Sequence, residues 1–184
     1  MNVQEATTRR LPDLKGRYLP ENCRETINTI LKETYGYEQF RNLEIYDDLS
    51  KGKEKLCISQ GQLIENVILE AEKAWKSETQ VDNILLTAPT GSGKSLLFQL
   101  PAIYLGKEYN LLTIVVSPLK ALIVDQVESL QELGYMRVAY ASSDLSPEQK
   151  MEVYRQVREG EIDLFYLSPE LLLSYDIKHF VGER

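Results

Sequence analysis

Ala88-Pro89-Thr90-Gly91-Ser92-Gly93-Lys94-Ser95 follows a short apolar run, Asn83–Ala88, and precedes a pattern that predicts a helix over Lys94–Leu105. Strand, glycine-rich turn and helix, in that order, are the setting in which Gly-Lys-Ser forms a phosphate loop. Gly91 and Gly93 let the backbone curl so that its N–H groups face one point. The start of the next helix adds partial positive charge there. In such a loop Lys94 reaches the β- and γ-phosphates of a nucleoside triphosphate, and the Ser95 hydroxyl ligates Mg²⁺. Ala88 stands where the strictest pattern has glycine.

Outward from this loop the C-terminal part alternates. Apolar runs recur at Leu111–Ser117, Met136–Ala141 and Asp163–Leu167. Helices are expected over Lys120–Leu133, over Pro147–Glu159 and from near Glu170. Ser146-Pro147-Glu148-Gln149 reads as a capped helix entry, with proline at the first helical position and glutamine three residues after the serine. This alternation predicts an α/β fold, a parallel sheet with helices on both faces.

Upstream the pattern differs. Residues 1–21, with Pro12, Gly16 and Pro20, read as an extended arm. Ile27, Ile30 and Leu31 are spaced for one face of a helix from Asn22 to Tyr35, stopped by Gly36. The charged run 47–55 reads as a solvated surface loop. A second helix is expected over Gln62–Ser77, where Leu63, Ile64, Val67, Ile68, Ala71 and Trp75 keep the helical period, which places Trp75 in the core. The chain thus divides into a mainly helical segment, 1–80, and an α/β segment, 81–184. His179 reads as a surface residue, and most of the 11 tyrosines as core edges.

Composition sets limits. A length of 184 residues suits one domain that hides roughly 70% of its unfolded surface. With 43% hydrophobic and 27% charged residues, disorder is not the main description. The uncharged apolar runs, Ile84–Leu86 and Ile114–Val116 among them, are too short to span a bilayer. Residues 4–10 include Gln4, Glu5, Arg9 and Arg10 and carry no apolar signal stretch. Cys23 and Cys57 make no disulfide framework, which points to a reducing cytoplasm, and with His179 they make no zinc cluster. A net charge of −7 excludes a wholly basic nucleic-acid coat but not a local groove built from a few placed cations and amides.

The phosphate loop, continued by Leu-Leu-Phe-Gln-Leu-Pro-Ala at 96–102, resembles motif I of superfamily 2 helicases, the RecQ-like DNA helicases in particular. Ser117-Pro118-Leu119-Lys120-Ala121-Leu122-Ile123-Val124-Asp125-Gln126-Val127 is similar to their motif Ia. Tyr140-Ala141-Ser142-Ser143 with Leu145-Ser146 resembles the segment after the next strand, and Tyr166-Leu167-Ser168-Pro169-Glu170 resembles motif Ib. The four occur in family order over residues 83–173. The resemblance implies a RecA-like ATP-binding fold. It further implies a groove for single-stranded or partly duplex nucleic acid, DNA rather than RNA. Ser117, Pro118, Lys120, Ser142, Ser168, Pro169 and Glu170 would line it at the strand ends, where open α/β sheets bind ligands.

Leu31-Lys32-Glu33-Thr34-Tyr35-Gly36-Tyr37-Glu38-Gln39-Phe40-Arg41 looks like the RecQ adenine-recognition motif. By that likeness Tyr37 and Arg41 sandwich the adenine of ATP, as an aromatic face and a guanidinium plane can. The family pattern has glutamine three residues after the arginine, where this chain has Glu44, and Arg41 and Lys94 stand 53 positions apart. Gln60 or Gln62, at the start of the helix before the loop, would then supply the amide, as in the broader superfamily. Gln62 is counted with Tyr37, Arg41 and residues 88–95 as the nucleotide contacts.

The likeness also implies an Asp-Glu motif II, the aspartate holding Mg²⁺ through water and the glutamate activating the attacking water. No Asp-Glu pair occurs in the sequence, and no arginine finger of a second RecA-like domain is identified. The expectation is an incomplete RecA-like domain, the front part of a helicase from a truncated gene, a fragment, or a piece completed by another chain. It would bind ATP and nucleic acid without hydrolysing ATP alone. Two other readings compete: a P-loop enzyme unrelated to nucleic acid, such as a small-molecule kinase, and a noncatalytic module whose 1–80 region docks a partner with the P-loop as switch.

Overall fold

The computed structural model describes residues 18–46, 55–76, 81, 83–86 and 91–173. Contacts group into two compact units, Met1–Pro101 and Ala102–Arg184.

In the first unit, α1 (Glu21–Tyr35) buries Ile27, Ile30 and Leu31, the stripe expected from the sequence. It ends at Gly36 in the left-handed region (φ 70°), whose N–H bonds back to Lys32 O at 3.0 Å. An L side chain rarely adopts that φ, so glycine is the natural stop. Then comes a hairpin whose two strands flank the charged run 47–55. β1 (Asn42–Tyr46) and β2 (Lys55–Ser59) pair antiparallel, in register from Asn42↔Ser59 to Tyr46↔Lys55. The centre of the charged run, residues 47–54, lies outside the described residues.

α2 (Gln60–Trp75) starts directly at the end of β2. Ser59 caps it, its side chain accepting from Gly61 N–H at 3.2 Å. A Cβ on Gly61 would lie 2.6 Å from the Phe40 ring, so the close approach of that ring requires glycine. Trp75, expected in the core, is 56% exposed at the last position of α2. The helical period places it on the right stripe, but no described residue of this unit covers that end. The run expected to be the strand before the phosphate loop also differs. Residues 83–86 pair with no strand, and Leu85 is 91% exposed. A strand exists only through its neighbour's hydrogen bonds, and no described residue supplies them. Residues 87–90 lie outside the description, as do residues 1–17 and His179.

α3 (Leu96–Tyr109) passes from the first unit into the second. It is apolar all round, as a buried helix is, with Leu100, Ala102, Ile103 and Tyr104 sealed from solvent. The second unit holds a parallel sheet in the order β3-β5-β4, built from β3 (Thr113–Val116), β4 (Val138–Ala141) and β5 (Leu164–Leu167). α4 (Lys120–Glu132), α5 (Pro147–Arg158) and the short α6 (Pro169–Leu172) follow the three strands in turn. β5 is the central strand and is wholly buried. Phe165 meets Tyr154 of α5 edge to face at 6.4 Å between ring centres, in a core with Ala141, Val157, Ile162 and Leu167. The Ser146–Gln149 capping box forms in both directions. This is the expected α/β architecture, consistent with an incomplete RecA-like fold.

Candidate functional site

The described part of the phosphate loop, Gly91–Ser95, holds its glycines at φ 80° and 78°. Both values require glycine. A Cβ on Gly93 would also meet the Gln60 carboxamide at 2.5 Å. Leu96 N–H bonds to Gly93 O at 3.2 Å and Leu97 N–H to Lys94 O at 3.1 Å. Lys94 and Ser95 therefore form the tight turn that leads into α3, which begins at Leu96 and not at Lys94 as expected. Lys94 is exposed and Ser95 half-buried. Ala88, Pro89 and Thr90 lie outside the described residues.

Gln60, not Gln62, is the residue tied to the loop. Its backbone N–H donates to Arg41 O at 2.9 Å, and its Oε1 accepts from Arg41 N–H at 3.2 Å. Its Nε2 donates to Ser92 O at 3.2 Å. The side chain is buried, 2% exposed, so all three bonds are shielded from water. Gln62 is half-buried on the next part of the turn, where its backbone carbonyl accepts from Asn66 Nδ2 at 2.7 Å.

The hairpin explains the long spacing. β1 and β2 leave and return side by side, so Arg41 and Gln60 become neighbours although 19 positions apart. A signal for this lay in the sequence: Leu43 and Ile45, then Leu56 and Ile58, alternate on either side of a charged, glycine-bearing segment.

The structure brings Tyr37 and Arg41 together. The Arg41 guanidinium carbon lies 5.9 Å from the centre of the Tyr37 ring, which is 48% exposed. A base stacked between them needs about 3.5 Å on each side, so the guanidinium would move outward by about an ångström. Tyr35 stacks beside Tyr37 at 6.4 Å and donates its hydroxyl to Gln99 Oε1 of α3 at 3.3 Å. The adenine-like motif is thus bonded to both the phosphate loop and the helix that follows it.

In the second unit Ser117, Ser142 and Ser168 each follow the C-terminal end of a strand. The strands are parallel, so the three serines share one edge of the sheet. Ser117 N–H extends the ladder to Leu167 O at 3.0 Å. Ser142 and Ser168 are buried, whereas Pro118, Lys120 and Glu170 are exposed and Pro169 is half-buried. Lys120 donates to Ser143 Oγ and pairs with Asp144 Oδ1 at 2.8 Å. The ammonium holds the Asp144 carboxyl below its usual pKa. The Ser168 hydroxyl does the same for Glu170, helped by Glu170's own N–H and by the nearby Lys120 charge. Asp144 carried no signal in the sequence, because its partner lies 24 positions away.

These features have known counterparts. Residues 69–181 match the DEAD/DEAH box helicase family. The chain belongs to that family. Within the DEAD/DEAH box helicases it is similar to the ATP-dependent DNA helicase RecQ of Synechocystis, 34% identical over 151 residues, which is 82% of this chain and 25% of that protein. RecQ of Bacillus subtilis is 32% identical over 80% of this chain and 20% of its own length. The ATP-dependent DNA helicase Q4 of mouse is 39% identical over 49% of this chain and 7% of its own length. The chain therefore spans a quarter or less of these helicases. Among the described residues no helix is long and apolar enough to cross a membrane.

Proposed function

We propose that this chain is the ATP-binding and DNA-binding segment of a RecQ-like helicase. The observation that carries the reading is the junction at Gln60, which bonds Arg41 of the adenine-like motif to Ser92 of the phosphate loop. Tyr37 and Arg41 take the adenine. Gln60 holds the base-binding segment against the loop, and Gln62 is left as the amide for the base. Residues 88–95 cradle the phosphates, with Lys94 as the cation that reaches them.

Ser95 suits Mg²⁺ as a single hydroxyl ligand at the loop, with the remaining oxygens coming from the nucleotide. Mg²⁺ would neutralise phosphate charge. The residues that hold it through water and activate the attacking water are an Asp-Glu pair in this family's resemblance, and the 184 residues contain none. The chain therefore binds ATP with little or no turnover. The strand-end edge from Ser117 to Glu170 takes single-stranded DNA through hydroxyls and backbone groups, without sequence preference. The DNA helicases to which the chain is similar support DNA over RNA. The two lone cysteines support a cytoplasmic setting, and the remainder of the motor, or a partner chain, would complete the cycle.

The test is titration of a fluorescent ATP analogue into wild type and Lys94→Ala, with phosphate release followed in parallel. Removing one charge-assisted phosphate contact should weaken binding by roughly 1.5–3 kcal/mol. Equal binding by both proteins, or brisk hydrolysis that Lys94→Ala abolishes, would overturn the reading.

A further inference from the structure

The strand-end edge is not simply cationic. The Lys120 ammonium, at the start of α4, meets the Asp144 carboxylate in the turn after β4. With Asp144 it forms a direct pair at 2.8 Å, and the Ser143 hydroxyl touches both groups, accepting from Lys120 and donating to Asp144 at 3.3 Å. The pair joins two separate strand-end turns, 24 positions apart. It is therefore not the incidental i,i+4 contact of a helix surface. A DNA phosphate that binds Lys120 needs the place that the Asp144 carboxylate holds.

We propose that Asp144 is a built-in competitor for DNA phosphate at Lys120, weakening the grip of this edge on a single strand. This rests on the proposed strand-binding role of the edge. The consequence is specific. A lysine that binds a phosphate releases the cation condensed on that phosphate, and the release produces the salt dependence of affinity. When the lysine leaves Asp144 to do so, the bared carboxylate draws a cation in its place, so little is released on balance. Lys120 should therefore add little to the salt slope of the wild-type chain. Freed of Asp144, it should add about one phosphate's worth. Lys150 also faces Asp144, so the loss of a negative charge has to be separated from the release of Lys120.

The experiment follows the anisotropy of a fluorescein-labelled oligothymidylate with the full chain at several salt concentrations. Wild type, Asp144→Asn, Lys120→Ala and the double variant are compared. Asp144→Asn is expected to bind about 2- to 5-fold tighter, the scale of an exposed ion pair. Its plot of log affinity against log salt should steepen by about 0.7. Both gains should vanish in the Lys120→Ala background. A gain that survives without Lys120 is a general charge effect and overturns the competition. So does an Asp144→Asn protein that matches a wild type that binds. If no form binds the oligonucleotide, the edge is not a strand site, and the proposal falls with it by a distinguishable result. Both groups are exposed, so the four thermal melts should coincide, and Asp144→Ser serves as a second variant if Asp144→Asn does not fold.

Discussion

Arg41 and Gln60 are bonded to each other twice, Gln60 N–H to Arg41 O at 2.9 Å and Arg41 N–H to Gln60 Oε1 at 3.2 Å. The two strands between them pair side by side as far as Tyr46 and Lys55. The outer end of this hairpin should therefore be dispensable for the nucleotide site. Replacing residues 45–56 by Asn-Gly keeps the Glu44↔Cys57 pair and supplies the two-residue turn that suits an antiparallel pair. Affinity for a fluorescent ATP analogue should stay within about threefold of wild type, under about 0.7 kcal/mol. A loss of tenfold or more would mean that the outer hairpin contributes directly to binding.

Gln60→Ala removes two buried side-chain bonds and strands Arg41 N–H and Ser92 O. A cost of about 1–3 kcal/mol in stability is expected, with weaker nucleotide binding. Gln60→Glu should be worse, since a carboxylate faces the Ser92 carbonyl with no hydrogen to donate. Gln62→Ala should lie close to wild type in stability. Denaturant melts and nucleotide titrations of the three proteins provide the check, and a loss of stability at Gln62 equal to that at Gln60 would reverse the assignment.

Glu65 of α2 accepts Leu19 N–H at 3.1 Å, yet its pKa is raised, because partial burial outweighs that bond. The folded state therefore holds the proton to higher pH than the unfolded chain does. Between the unfolded value and the higher folded one, the native state binds more protons, so stability falls as pH rises through that window. Above it the charged form is a standing cost. Glu65→Gln keeps an acceptor for Leu19 and should raise Tm at pH 7 while flattening this part of the pH profile. A Tm lowered at neutral pH would show that the charge itself is needed.

Asp163, fully buried at the start of β5, accepts from Tyr135 Oη, Arg137 Nε and Arg137 Nη2, each at 2.7 Å. The carboxylate holds the Arg137 pKa above its usual value. Asp163→Ala should cost about 3 kcal/mol, the low end for a broken buried pair, because Arg137 can turn to water. Gly106→Ala attacks the same knot by overpacking. The new Cβ would lie 2.3 Å from Asp163 Cγ, and roughly 1–3 kcal/mol is expected. Chemical denaturation should show both losses, and two proteins as stable as wild type would mean that the knot adjusts freely.

The sequence by itself determined what depends on near neighbours. Gly91 and Gly93 announced the loop because positive φ is local, Gly36 ended α1 for the same reason, and Ser146 with Gln149 capped α5 within one turn. The alternation of apolar runs and helices gave the α/β class, because the polarity period of each element is written in its own residues. Tertiary structure decided what depends on distant partners. It tied Gln60 to Arg41 and Ser92, since only strand pairing across residues 42–59 shows which glutamine returns to Arg41. It set Asp144 against Lys120, which no spacing rule connects. It left Trp75 exposed, because a helical period says which stripe a residue is on and not whether anything covers it. And among the described residues it gave 83–86 no strand partner, because an apolar run becomes a strand only when a neighbouring strand takes up its backbone hydrogen bonds.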